Sequence, residues 1–223
     1  INARIKIALI LEPPSINNKP YDEIKNSDFY NKFDLILTHQ KNMLDISTKF
    51  KWYPFGGCWI KPEDRKIYKK TKFCSIIASN KTQTEGHRLR HEVIKRFGDQ
   101  IDVFGNGYKF VADKLEALKD YQYSIVIENE RSAGWFTEKI NDCFATGTIP
   151  IYWGDPKIND YYHCGLLRVF NNIKDVDLLL EYYLEREPFS TFQKVIIHNF
   201  NEVEKYAIPE DWLWENVFKN LIR

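Results

Sequence analysis

Apolar runs of strand length recur along the chain: IKIALIL (5–11), FDLILT (33–38), FCSIIAS (73–79), IDVF (101–104), YSIVIE (123–128) and IPIYW (149–153). Between them, GHRLRHEVIKRFG (86–98), VADKLEALKDY (111–121) and FTEKINDCFATG (136–147) carry apolar residues at helical spacing, which predicts amphipathic helices. Unbroken apolar strands alternating with such helices predict an α/β protein with buried parallel sheets. That class binds ligands outside the carboxyl ends of its strands. After residue 170 the pattern turns helical, with predicted helices over 176–187, 189–206 and 210–222 whose Trp and Phe residues read as core anchors. Gly56-Gly57, Pro62 and the charge run 61–72 interrupt the pattern. The expected division is a small first lobe (1–57), a linker (58–71), a fuller second lobe (72–185) and C-terminal helices (186–223) packing across both.

A length of 223 residues suits one large domain or two small ones, and 43% hydrophobic with 28% charged residues is ordinary globular composition. A net charge of +1 gives no electrostatic reason for a nucleic-acid partner and no indication of peripheral membrane contact. Cys58, Cys74, Cys143 and Cys164 form no C-x-x-C pair and no zinc spacing, and three of them sit in apolar runs. Buried free thiols and a reducing, cytoplasmic setting are therefore expected, with no signal-peptide pattern or long apolar span. The numbering opens on Ile1, almost directly into a strand, which reads as an excised or incomplete chain.

Candidate chemistry concentrates in residues 128–156. A strand delivers Glu128 and Asn129 to a loop, and the loop feeds a helix capped by Thr137 or a neighbour. Free N–H groups at a helix start suit a phosphate. Lys139 in the first turn opposes the helix dipole, a conflict that a bound anion would remove. Glu138 could accept hydrogen bonds from ribose hydroxyls, and Trp135 offers a flat face for a sugar or base. An ordinary helix with a surface Glu–Lys pair and a core Trp would give the same letters. In SIIASNKTQTEGHRLRHEV (75–93) a strand runs through a polar loop into a helix bearing Arg88 and Arg90. Either guanidinium could clamp a diphosphate with its paired donors, but residues two apart do not share a face. Glu12, after the first strand and before Pro13-Pro14, is a candidate general base or simply a strand-end acid. FGNGY (104–108) is a lone Gly-rich turn. His87 and His91 lack the H-E-x-x-H arrangement and read as packing residues, as do His39, His163 and His198. G-x-S-x-G, Walker A and clustered carboxylate pairs are missing, which argues against lipase-type, kinase-type and two-metal chemistry.

The stretch YQYSIVIEN…GWFTEKINDCFATGTIPIYWGDPKI (121–158) resembles the signature region of glycosyltransferase family 10, the α-1,3-fucosyltransferases, and ASN…R with IDVFGNG (78–107) resembles its preceding segment. Two differences stand out: Trp135 occupies the family's usual Tyr, and Glu12 lies in Glu-Pro-Pro rather than Glu-Ser-Pro. The resemblance implies a GT-B-like fold of two Rossmann-like lobes, the first small or truncated. It implies transfer of L-fucose from GDP-fucose to a glycan hydroxyl with inversion, with a GDP-sugar as donor substrate and no metal or other cofactor required. Asn129 and Glu138 would hold the ribose, and Arg90 and Lys139 the diphosphate. Glu12 would be the catalytic base. A nucleotide-sugar-binding relic without catalysis, a transferase for another GDP-sugar and a plain α/β scaffold are the competing readings.

Overall fold

A computed structural model describes residues 5–163, 168–185 and 188–219. Its first sheet is parallel and three-stranded, in the order β1 (Ile7–Ile10), β2 (Leu35–Thr38), β3 (Phe50–Trp52). Two short helices, α1 (Lys19–Ile24) and α2 (Ser27–Tyr30), cross from β1 to β2. The second sheet is parallel and five-stranded. Its strands are β4 (Lys72–Ile77), β5 (Asp102–Phe104), β6 (Tyr121–Ile127), β7 (Ile149–Trp153) and β8 (Arg168–Val169), ordered β5-β4-β6-β7-β8. Helix α3 (Glu85–Phe97) links β4 to β5, α4 (Glu138–Ala145) links β6 to β7, and α5 (Ile173–Glu185) follows β8. The α/β class with parallel sheets is therefore as the hydrophobic pattern predicts.

The inner strand β7 is buried along its whole length, which explains why IPIYW reads as a continuous apolar run. Pro150 is tolerated there because its side of the strand faces β8, where pairing among the described residues begins at Ile151–Arg168. One face of the second sheet packs Val93 and Phe97 of α3 and Val176 and Leu180 of α5 against Ile76, Ile125 and Ile151. The other face packs Ile140 and Phe144 of α4 against Val126 and Tyr152. Helix α6 (Gln193–Val203) contributes Ile196 to the first layer and Val203 to the second. Helix α7 (Pro209–Leu213) then sets Leu213 against Leu35 and Leu37 of β2. No helix of the described residues is long and apolar enough to cross a membrane.

Several expectations need correction. Residues 111–121 do not form a helix: a single 3-10 turn covers Lys114–Ala117, and Tyr121 already begins β6. Asp113 ends the approach by accepting the Leu115 N–H at 2.9 Å, and Ala117, Leu118 and Tyr121 are all buried. Periodicity over a charged stretch mimicked a helix that packing cut short. Strands β3 and β8 are not among the strands the pattern predicts: exposed Lys51 interrupts the apolar run of Phe50–Trp52, and β8 is described only over Arg168–Val169. The predicted 210–222 helix breaks after Leu213 into a π-turn over Trp214–Phe218, leaving Trp214 half exposed rather than an anchor. Its end at 220–222 and Cys164 lie outside the described residues. Cys74 and Cys143 are buried free thiols, and Cys58 is half-buried.

Candidate functional site

A cleft of about 380 Å³ opens at the carboxyl ends of β4 and β6, lined by Arg90, Asn129, Glu138 and Lys139 with His87 and Lys114. Gly86 makes this convergence possible. A Cβ there would lie 1.7 Å from the Glu128 carbonyl oxygen, so only glycine lets α3 start against the end of β6. Its N–H donates to the Asn129 carbonyl at 3.2 Å. Of the two arginines, Arg90 is buried in the cleft wall, whereas Arg88 is exposed and donates to the Thr82 and Gln83 carbonyls. Arg90 Nε and Nη2 donate to the Ile127 carbonyl, and Nη2 also reaches Asn129 Oδ1 at 3.0 Å. The strand end thus orients the guanidinium, and the guanidinium in turn orients Asn129.

Thr137 caps α4, accepting the Lys139 N–H at 3.4 Å. The anion that relieves Lys139 at this helix start belongs to the protein itself. Fully buried Glu128 accepts the Thr137 N–H at 2.9 Å and lies 3.1 Å from Lys139 Nζ. Lys139 also sits 3.6 Å from Glu138 Oε1, and the same oxygen lies 3.1 Å from Lys114 Nζ. Lys114 continues to Asp142 Oδ2 at 3.0 Å and lies over the Trp59 ring at 4.0 Å. The wall is therefore an alternating row: Glu128, Lys139, Glu138, Lys114, Asp142. Burial pushes the Glu138 carboxyl up, but Lys139 and Lys114 outweigh it and hold it below its ordinary value. Burial lowers the Lys114 ammonium, but Asp142 and Glu138 outweigh that and carry it above its ordinary value. Asp142 is so buried that its carboxyl stays above the usual range despite Lys114.

Arg90, Asn129, Glu138 and Lys139 are thus brought together, while two other candidates stand apart. Trp135 does not line the cleft: it is buried, stacked on Phe55 at 5.1 Å and packed on His39 at 4.2 Å. Positive-φ Gly134 turns the chain before it, with its N–H held by Asp155 at 2.8 Å and its carbonyl by Trp52 Nε1 at 3.2 Å, and that turn directs the indole inward. Glu12 is exposed on the loop after β1, outside the cleft lining. Its loop meets the second lobe where the Ser15 N–H donates to Glu130 Oε2 at 2.9 Å.

Lys114, Asp142 and Trp59 were not anticipated from the sequence. Asp142 follows Glu138 by four residues and so shares its helix face, a signal that was available. Lys114 lay hidden in the misassigned helix, and nothing local marks Trp59. Among the described residues, no three His, Cys, Asp or Glu side chains group as a metal site.

Comparison with known proteins bears on the family and the fold. The profile of glycosyltransferase family 10 (fucosyltransferase), C-terminal part, matches residues 67–177. The α-(1,3)-fucosyltransferase FucT of Helicobacter pylori is 34% identical over 120 residues, covering 51% of this chain and 24% of that protein. α-(1,3)-Fucosyltransferase B of Drosophila melanogaster is 33% identical over 84 residues, covering 37% of this chain and 18% of that one. The chain thus spans a quarter or less of these relatives. A solved α1,3-fucosyltransferase with GDP-fucose superposes with a TM-score of 0.57 at 19% identity, over 86% of this chain and 66% of that one. TarM superposes with a TM-score of 0.54 at 11% identity, over 92% of this chain and 45% of that one. These likenesses establish a two-lobed GT-B-like fold. Through residues 67–177, which hold the whole alternating charge row, the chain belongs to glycosyltransferase family 10.

Proposed function

We propose that the chain binds a GDP-sugar, most simply GDP-L-fucose, and transfers the sugar with inversion to a glycan hydroxyl. The observation that carries this reading is the convergence of Arg90, Asn129, Glu138 and Lys139 on one cleft at the ends of β4 and β6. A hollow of about 360 Å³ beside Trp59, Asp113 and Lys114 adjoins it, giving room for a nucleoside beyond the diphosphate. Arg90 and Lys139 would bind the diphosphate, with Asn129 and Glu138 on the ribose. As the glycosidic bond breaks, negative charge grows on the departing GDP, and the two cations stabilise it where it develops. Glu12, on the opposite lobe, would take the proton from the acceptor hydroxyl as it attacks the anomeric carbon.

The exposed position of Glu12 outside the cleft favours one second reading, a donor-binding protein without transfer. A thermal-shift panel of GDP, UDP, ADP and CMP, followed by GDP release from GDP-fucose, separates the readings. Selective stabilisation by GDP with slow GDP release supports the transferase. Stabilisation without release supports the second reading, and no shift with any nucleotide removes both.

A further inference from the structure

His87 lies in the cleft wall, but the roles above leave it unused. It stands in the first turn of α3 with 5% of its surface exposed. Thr84 Oγ1 accepts the His87 N–H at 3.2 Å, and the Thr84 N–H donates in return to His87 Nδ1 at 3.3 Å. An Nδ1 that accepts fixes the neutral ring with its proton on Nε2. That Nε2–H donates to none of the described residues, and the ring lines the same cleft as Arg90 and Lys139. Nε2 is not among the buried side-chain atoms left without a partner, so it is open to the cleft and takes its partner from that space. The charged and titratable groups around the ring are Arg90 and His91 on α3, Lys81 in the preceding loop and Lys139 on α4. Burial and then these groups hold the ring down to about 4, so near pH 7 it is a neutral donor. The groups that act most strongly on the ring are all cationic or potentially so, which makes an anion the acceptor that fits.

We infer that His87 Nε2–H is a further ligand to the donor's diphosphate, donating to a phosphate oxygen alongside Arg90 and Lys139. The inference rests on the GDP-sugar reading and adds a residue to it. His87 does two separable things: Nδ1 completes the cap of α3, and Nε2 reaches for phosphate.

Two substitutions separate these roles. His87→Asn places an amide at the level of Nδ1, keeping the cap acceptor while deleting the outer donor. His87→Gln places an amide at the level of Nε2. By calorimetry, His87→Asn is expected to weaken GDP binding about tenfold, and His87→Gln to recover most of the loss. Guanosine, followed by ligand-observed NMR, should bind both variants as it binds the wild type. Wild-type GDP affinity in His87→Asn overturns the inference, as does an equal loss for guanosine. In wild-type protein with 15N-labelled histidine, GDP should shift His87 Nε2 and slow exchange of its proton, and guanosine should not. An unmoved Nε2 resonance overturns the inference without any variant. GDP binding by wild type with an indifferent His87 leaves the donor reading intact, whereas no GDP binding at all removes both.

Discussion

Replacing Lys114 with Met removes the cation shared by two buried carboxylates while keeping a chain of similar length. Lys114 Nζ lies 3.1 Å from Glu138 Oε1 and 3.0 Å from Asp142 Oδ2, whose side chains are only 10% and 1% exposed. Breaking a buried pair on one side costs about 3–5 kcal/mol, because the remaining charge stays buried. Here Glu138 keeps Lys139 at 3.6 Å, and Asp142 keeps the Trp59 and Ile60 N–H groups at 2.6 and 3.3 Å. The expected loss is therefore at the lower end, about 3 kcal/mol, and losing the ammonium over Trp59 adds about 0.5–1 kcal/mol. Urea unfolding near pH 8 should show it as a midpoint lower by about 1–2 M. The pH dependence has a definite sign. Asp142 has its folded value raised by burial, so its charged form costs stability at high pH, and the cost fades as pH falls through that value. Without Lys114 that value rises further, so the deficit should shrink as the pH is lowered from about 8. A deficit below about 1 kcal/mol near pH 8, or one indifferent to pH, refutes the reasoning.

Other outcomes follow from the same geometry. Arg90→Ala and Lys139→Ala should each weaken GDP binding by about ten- to a hundredfold in calorimetry, and unchanged affinity in both would remove them from the donor site. Gly86→Ala must push α3 away from Glu128, so melting should drop as for a loss of about 3 kcal/mol or more; a wild-type melting temperature would show the close approach to be wrong. Trp135→Ala should cost about 3–5 kcal/mol of stability yet leave GDP affinity of the folded protein within about twofold, and a selective loss of affinity would return the indole to the ligand.

The strands were legible because central parallel strands are apolar on both faces: IPIYW and β7 share the same bounds. The Thr137 cap was legible for a local reason, since capping depends on residues within one turn. Residues 111–121 failed because helical spacing says nothing of what lies alongside, and here β6 claims Tyr121. The charge row was half legible. The oddity of a lysine at a helix start was visible, but its answer, Glu128, depends on how a strand end meets a helix start across a loop. Trp135 was misread for a related reason: a loop indole can turn in or out, and only the fold of residues 134–155 decides it.

The alternating row also bears on how a ligand arrives. Arg90, Lys139 and Lys114 face Glu128, Glu138 and Asp142, so these six formal charges cancel within a few ångströms and leave Lys81, also in the lining, as the excess cation. Such a wall projects only a weak field beyond its own mouth, and an approaching dianion feels little distant pull. Encounter is then left to unsteered diffusion, with a rate nearly indifferent to added salt, and tight holding has to come from slow departure.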